Sequence, residues 1–374
     1  MILLSLVISL SYTLLILSFI WGFDKVPVFS LKEHKPRTTF SLIIPFRNEA
    51  CNLYELLESI YNLDYPSSLF EVLLVNDASE DQSIKIIDAF CKKHQVNYTV
   101  LDNERKTNSP KKDAITTAIK KTKNTWILST DADCILPKKW LVYYDSFIQE
   151  NDVQMICAPV NYYPSKTFLD NFQQLELFSL LGATIGGFGI NKPFMCNGAN
   201  LGYTKTFFTQ VDGFSGNTNI ASGDDMFLLE KALKQDKHKV KFLKSKEACA
   251  VTNCAYDIKS LIQQRIRWAS KTSHYNNRFG KLAGLIIFSM NALLVSLLIL
   301  TSLSLVSINV LFFSFLLKFY IDFWLILKSA LFLKSKKVVY AYFLSSILYP
   351  FFSVFIVLSS FVSTYEWKGR HFRK

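Results

Sequence analysis

Three long stretches of this chain carry no charged side chain: Met1 to Phe23, Leu282 to Leu317 and Val338 to Tyr365. A helix needs about 20 apolar residues to cross the hydrocarbon of a bilayer, and each stretch is long enough. They mark an integral membrane protein. The first stretch lacks a basic start and a small-residue cleavage site, so residues 1–23 read as a retained anchor rather than a signal peptide. The second would run about 54 Å as one helix, too long for one span of about 30 Å. It divides into a crossing near 283–304 and another that passes Lys318 and ends near Leu333. Lys318 and Asp322, four apart, can pair on one helix face.

The last run is harder to place. The positive-inside tendency returns Lys334, Lys336 and Lys337 to the cytoplasm but opposes export of Lys368, Arg370, Arg373 and Lys374. A crossing at 338–364 would export them, whereas a segment lying in the interface, or one broken at Pro350, would not. Length favours four crossings. The C-terminal part is therefore read as a membrane block of about three helices (281–365) with a basic tail (366–374).

Residues 24–280 have the composition of a soluble domain. "FSLIIP" (40–45) and "EVLLV" (71–75) are short β-rich runs, and between them Leu53, Leu56, Leu57 and Ile60 recur at helical spacing. Strand, helix, strand order argues for an α/β fold with a mostly parallel sheet and helices on both faces. Ligands on such sheets bind past the carboxyl ends of the strands. The seven Cys are odd in number and form no CxxC pair, so neither a disulfide framework nor a zinc site is indicated. The formal charge of +12 is dispersed and borders membrane segments, which favours anionic lipid over nucleic acid. "GATIGGFG" (182–189) has no dinucleotide-binding glycine pattern after a strand and reads as a flexible or tightly packed loop.

Three strand ends share one chemistry. "IIPFRNEA" (43–50) has Pro45 stopping the strand and Glu49 opening a helix. "LLVNDASEDQS" (73–83) places Asp77 after the strand. "WILSTDADC" (126–134) delivers Asp131 and Asp133 at the mouth of a buried strand. Neighbouring carboxylates repel, and a cation between them makes the arrangement favourable. In "SGDDMFLLEKAL" (222–233), Ser222 reads as an N-cap and Asp224 and Asp225 fall in the first helical turn. Asp257 reads as the N-cap of a helix whose apolar face is Ile258, Leu261, Ile262 and Ile266. Such a helix can lie on a membrane with Arg265 and Arg267 at headgroup level.

In their order and approximate spacing these segments resemble the family 2 glycosyltransferases of the GT-A fold, over roughly residues 38–275. "SPKKDAITTAI" (109–119) is similar to the family's Lys-x-x-Ala-aliphatic element, although Pro110 and Thr116 replace the usual Gly and Asn. "NGANLGYTKTFFTQVDGF" (197–214) resembles the acceptor-side loop, and Gln264-x-x-Arg267-Trp268 matches the Gln-x-x-Arg-Trp signature. The resemblance implies donor contacts at Pro45, Glu49, Asp77, Lys111 and Asp131, and a Mg²⁺ or Mn²⁺ ion on Asp133. It makes Asp225 the catalytic base, with Asn200, Asp224, Gln264, Arg267 and Trp268 on the acceptor and diphosphate side. Trp268 offers a flat surface for a sugar ring.

The expected reaction is inverting transfer from a nucleotide-diphospho-sugar, most simply a UDP-glucose or UDP-N-acetylglucosamine type donor, to a lipid or lipid-linked acceptor. The domain is expected to face the cytoplasm at the cytoplasmic membrane. Gln-x-x-Arg-Trp and the membrane block also suit a processive polysaccharide synthase, although few helices are available for a channel. A transporter with a regulatory domain would show inverted repeats or several intramembrane charges. Only Lys318 and Asp322 stand in that position.

Overall fold

Alternation along "FSLIIPF" sends Leu42 and Ile44 to one side and Ile43 to the other, so this strand must be covered on both faces. The computed structural model describes every residue except 1, 33, 165, 221, 272–274, 363–364, 368–369 and 373–374. Lys368, Arg373 and Lys374 of the basic tail thus lie outside the described residues.

Helix α1 (Ile2–Lys25) leads into β1 (Phe40–Phe46), α2 (Leu53–Tyr61), β2 (Phe70–Asn76), α3 (Ser83–His94), β3 (Thr99–Asp102), α4 (Pro110–Lys121) and β4 (Trp126–Ser129). Then follow β5 (Cys134–Ile135), α5 (Trp140–Glu150), β6 (Met155–Cys157), β7 (Val160–Tyr162), α6 (Phe168–Gly189), β8 (Leu201–Thr204), α7 (Lys205–Gln210) and α8 (Asp224–Asp236). Strands β9 (Val240–Phe242) and β10 (Ala250–Thr252) precede α9 (Ile258–Ser270), α10 (Arg278–Ser302), α11 (Ile308–Phe332) and α12 (Tyr342–Val362). A hairpin of β11 (Tyr365–Trp367) and β12 (Arg370–Phe372) comes last.

Seven strands form one sheet in the order β3-β2-β1-β4-β8-β6-β9. All neighbours are parallel except β8, which is antiparallel to both β4 and β6. This is the mostly parallel α/β sheet that the alternating pattern implied. Helices α2, α3 and α5 cover one face through Leu42, Ile44, Leu74 and Leu128, while α4, α6 and α8 cover the other through Ile43, Leu73 and Ile127. Strand β4 stops at Ser129 opposite Ile43, whereas β1 continues to Phe46 opposite Asn76. Pro45 therefore does not end its strand. It pairs in register with Val75, beyond the last β4 partner.

The membrane helices share a core with this sheet. Phe23, Ile326 and Ala330 join the α4, α6 and α8 face. Lys328 on α11 pairs with Asp24 at 2.7 Å, and deeper in the block Lys318 pairs with Asp322, which also accepts the Tyr12 hydroxyl at 2.5 Å. The glycine-rich 182–189 segment is the end of α6, not a loop. A Cβ on Gly186 would lie 2.5 Å from the Phe19 carbonyl oxygen, and one on Gly189 would lie 1.8 Å from that of Gly22. Small residues let the α1 and α6 backbones touch.

Four helices are long and apolar enough to cross a membrane: α1, α10, α11 and the 338–362 segment containing α12. Helix α12 continues through Pro350 and runs back beside the domain. Its first residue, Tyr342, packs on Phe319 and Phe323 with ring centroids 4.9 and 5.3 Å away. Farther on, Phe352 meets Phe172 of α6 at 5.3 Å, and Ile356 packs on Ile266 of α9. Arg370 in the following hairpin then reaches Asp77 at the end of β2.

Candidate active site

The loops that leave β1 and β2 brace each other. Asn48 and Ala78 both take left-handed backbone conformations (φ 51° and 57°), which is uncommon outside glycine and costs strain that the surroundings must hold. The Asn48 N–H donates to Ser79 Oγ at 3.1 Å, Glu80 N–H to Asn48 Oδ1 at 2.8 Å, and Ala50 N–H to Asp81 Oδ2 at 2.9 Å. Glu49 is buried in this lattice and accepts from Asn52 Nδ2 at 2.7 Å.

Asp77 lies beside Glu49's loop, with its Oδ1 accepting from Asn103 Nδ2 at 2.7 Å and facing Arg105 at 3.5 Å. Its Oδ2 is held by Arg370. Asn103 Oδ1 is buried and has no hydrogen-bond partner, so it is an acceptor still open beside Asp77. Neither Asn103 nor Arg105 was singled out from the sequence. Their signal was the polar run "DNERK" after β3, a further strand end of the same type.

Lys111 connects the two halves of the cleft. Pro110 is the first residue of α4, where its missing N–H costs nothing, and Lys111 follows it in the first turn. Its Nζ lies 2.6 Å from Asp131 Oδ1 and 3.3 Å from Asp224 Oδ2. Burial works against its charge, but Asp131 and Asp224 more than offset this and hold the ammonium protonated. Asp131 and Asp133 are both half-buried at the mouth of β4.

These two carboxylates suit a hard divalent cation, which takes oxygen ligands and keeps several from water or phosphate. Among the described residues no group of three or more His, Cys, Asp or Glu could enclose an ion. The donor set therefore fits a metal that arrives with a diphosphate, not a closed protein cage.

Asp224 and Asp225 open α8. The N-cap is Gly223, not Ser222: its φ of +83° is a left-handed conformation, and Ser222 Oγ is buried without a partner. The two acids diverge in environment. Burial raises the Asp224 carboxyl, but Lys111 and Lys271 outweigh it and hold that group below the ordinary range. Asp225 is pushed up by burial and then by the charge of Asp224. Asp225 Oδ2 accepts the Gly198 N–H at 3.1 Å and Oδ1 accepts from Met226 at 2.8 Å. A Cβ on Gly198 would sit 3.0 Å from Asp224 Oδ2 and 3.2 Å from Lys111 Nζ, so a larger residue there would push both side chains by a few tenths of an ångström. Lys271 faces the acid pair, and burial pulls its pKa down to about 8.

Two expectations need correction. Asn200 does not line the cleft. It is fully buried, accepts from Trp140 Nε1 and the Tyr144 hydroxyl at 2.9 Å each, and donates to the Pro159 and Ala248 carbonyls at 2.7 Å each. All its hydrogen-bonding capacity serves the fold. Arg265 does not sit at headgroup level either: it is buried, pairs with Glu176 at 2.7 Å, and lies 4.3 Å from the Trp268 ring centroid. It also donates to Gln264. Trp268 is thus backed by a guanidinium, while Arg267 and Gln264 are half-buried on the same helix. Asp257 caps α9 by accepting from Ser260 N–H at 2.7 Å.

A mostly parallel sheet of this order, with acids past its strand ends and an acid pair at a helix start, fits the class of glycosyltransferases with the GT-A fold. Sequence comparison points to a particular family: the model described as "Glycosyl transferase family 2" matches residues 41–215, a little under half of the chain. Over 119 residues it is 32% identical to the poly(ribitol-phosphate) beta-N-acetylglucosaminyltransferase TarS of Staphylococcus aureus strain Mu50, covering 31% of this chain and 20% of that protein. Over 151 residues it is 24% identical to a poly-beta-1,6-N-acetyl-D-glucosamine synthase of Staphylococcus epidermidis, covering 40% of this chain and 35% of that protein. The chain therefore spans only a fifth to about a third of these relatives. The mannosyltransferase PcManGT from Pyrobaculum calidifontis, solved with GDP-Man and Mn²⁺, has a TM-score of 0.55 at 15% identity, covering 96% of this chain and 99% of that one; it shows the fold.

Proposed function

We propose that the protein transfers a sugar, with inversion, from a nucleotide-diphospho-sugar to a hydroxyl acceptor at the cytoplasmic membrane, its sheet domain facing the cytoplasm. The observation that carries this reading is the Lys111 bridge. One lysine touches both the strand-end acid Asp131 and the acid Asp224 beside Asp225, so a diphosphate drawn to Lys111 brings its sugar to the base. Asp77, Glu49 and the open Asn103 Oδ1 receive the nucleoside at one end of the cleft. Asp133, with Asp131 beside it, would hold a Mg²⁺ or Mn²⁺ ion, whose charge would offset that of the departing diphosphate.

Asp225 is oriented by the Gly198 and Met226 N–H groups and takes the acceptor proton as general base. Its raised pKa brings it nearer to the operating pH, which favours that role. Trp268 and Arg267, at the membrane-side rim on α9, support a lipid or lipid-linked acceptor. Two relatives named for N-acetylglucosamine make UDP-N-acetylglucosamine the first donor to try. The S. epidermidis synthase supports a second reading, processive polymer synthesis at the same site.

The test is to incubate the purified full chain in lipid with UDP-N-acetylglucosamine, UDP-glucose or GDP-mannose and measure released nucleotide, with and without chelator. Metal-dependent release that is lost in Asp225→Asn supports the proposal. No release from any donor, with membrane lipid extract supplied as acceptor, counts against it. Product length then separates single transfer from polymer synthesis.

A further inference from the structure

The C-terminal hairpin ends on the residue assigned to the nucleoside. Arg370 pairs with the Asp77 carboxylate and also approaches the Asp77 carbonyl oxygen at 3.4 Å. The other carboxylate oxygen is already taken by Asn103 and Arg105, and Arg47 donates to the same carbonyl at 2.9 Å. Asp77 then has little acceptor capacity left for a ribose or base. A guanidinium bound in this forked manner is among the stronger polar contacts a side chain makes.

The path of the chain explains how the tail gets there. Helix α12 begins against Phe319 and Phe323 on α11 and finishes against Ile266 on α9, a helix of the catalytic domain. A helix that crossed the bilayer would carry its C-terminal end away from that domain. Midway along α12, the Tyr349 ring lies 5.6 Å from the Lys318 ammonium of α11. Its exposed face is apolar, with Phe343, Phe351, Phe355 and Phe361 among the exposed residues. That is the surface of a helix immersed in lipid on one side and packed on protein on the other.

We propose that α12 returns to the cytoplasmic side without crossing, and that the hairpin it carries is a cover on the donor site in which Arg370 competes with the nucleoside for Asp77. The proposal rests on the donor-site reading of Asp77. A nucleotide must displace the hairpin to bind, so apparent affinity falls by the fraction of molecules that stand open. A partly exposed ion pair biases that equilibrium by about fivefold. The positive-inside tendency is satisfied by the same arrangement, since Arg370 stays with the domain.

The probe is UDP, titrated calorimetrically into the detergent-solubilised full chain. Arg370→Ala should tighten UDP about fivefold and lower the donor KM with kcat unchanged. Unchanged or weaker UDP binding overturns the cover, the latter making Arg370 part of the donor site. In the Arg370→Ala background, Asp77→Asn should weaken UDP; if it does not, the donor-site reading of Asp77 is the one that fails. Topology is read separately, from a single Cys added after Lys374 and a membrane-impermeant maleimide. Label above that of the parent chain only after permeabilisation is expected. Label in intact cells overturns the return of α12.

Discussion

Two of this molecule's lysine–aspartate contacts, one in the cleft and one in the membrane block, have opposite consequences. In the cleft, Lys111 meets Asp131, whose side chain is 39% exposed, and Asp224, whose side chain is 10% exposed. In the membrane block, Lys318 meets Asp322, with side chains 8% and 17% exposed and the Tyr12 hydroxyl closing the far side. The cleft pair can be opened from solvent, and under the proposed function a diphosphate exchanges for Asp131 on Lys111. The membrane pair has no such alternative, because hydrocarbon offers no partner to a separated charge. One ion pair is open to exchange; the other lies within α11 and is joined to α1 through the Tyr12 hydroxyl. Access decides between them, since the pairing chemistry is the same.

The largest effect is expected where the cleft does chemistry. Asp225→Asn should lower kcat by about 10²- to 10⁴-fold, the usual contribution of a general base, while UDP affinity changes only a few-fold. If UDP binding collapses as well, Asp225 belongs to the donor side. Next in size is the membrane pair. Asp322→Asn should destabilise the solubilised protein by about 3 kcal/mol, because it leaves Lys318 buried without its countercharge. The double change Lys318→Leu with Asp322→Leu should recover most of that loss in thermal unfolding. An Asp322→Asn protein as stable as the parent would show that the two pairs do not differ as described.

Smaller effects sharpen the cleft side of the comparison. Asp133→Asn should reduce metal-dependent turnover by about 10²-fold, in line with several kcal/mol of charge stabilisation by the ion. Unchanged turnover in chelator would remove the metal from the mechanism. Gly198→Ala should cost roughly tenfold in kcat, since a misplacement of under 1 Å at a reacting group is felt at this scale. Its stability should change little, which circular dichroism melting can check.

The sheet and the acids were legible in the sequence because each has a short-range cause. Period-two alternation placed Ile43 and Leu42 on opposite faces, and Asp131, Asp133, Asp224 and Asp225 stand where a strand or a helix changes direction. What the sequence hid depends on contacts between distant segments. Asn200 looks like any polar loop residue until Trp140 and Tyr144, from α5, are seen to donate to it. The 182–189 glycines looked like a loop because nothing local says that Phe19 and Gly22 will press against them. Arg265 could not be told from Arg267 by spacing alone. Its partner Glu176 lies on α6. For α12, length and hydropathy suggest a crossing, and its packing on Phe172 and Ile266 is invisible to both.

The smallest predicted effect is a pH profile, and it tests whether the cleft charges are exchangeable as the comparison requires. Lys271 faces Asp224, Asp225, Lys111 and Arg267, and burial, followed by the positive charge of Arg267, brings its pKa down to about 8 against the pull of the acids. Below that pH it is charged and adds to Lys111 in attracting a diphosphate; above it the charge is lost. Asp225 acts in the opposite sense. Its carboxyl is held above the ordinary range, and it must be ionised to accept a proton, so activity falls as pH drops through that raised value. The donor kcat/KM should therefore trace a bell whose alkaline limb lies near pH 8. Lys271→Arg keeps the charge at any such pH and should extend activity upward past the parent's limb. Lys271→Met should lower activity a few-fold at neutral pH, abolish the alkaline limb, and move the acid limb higher, because a positive neighbour of Asp225 has been removed. An alkaline limb that persists unchanged in both variants would assign that titration to another group.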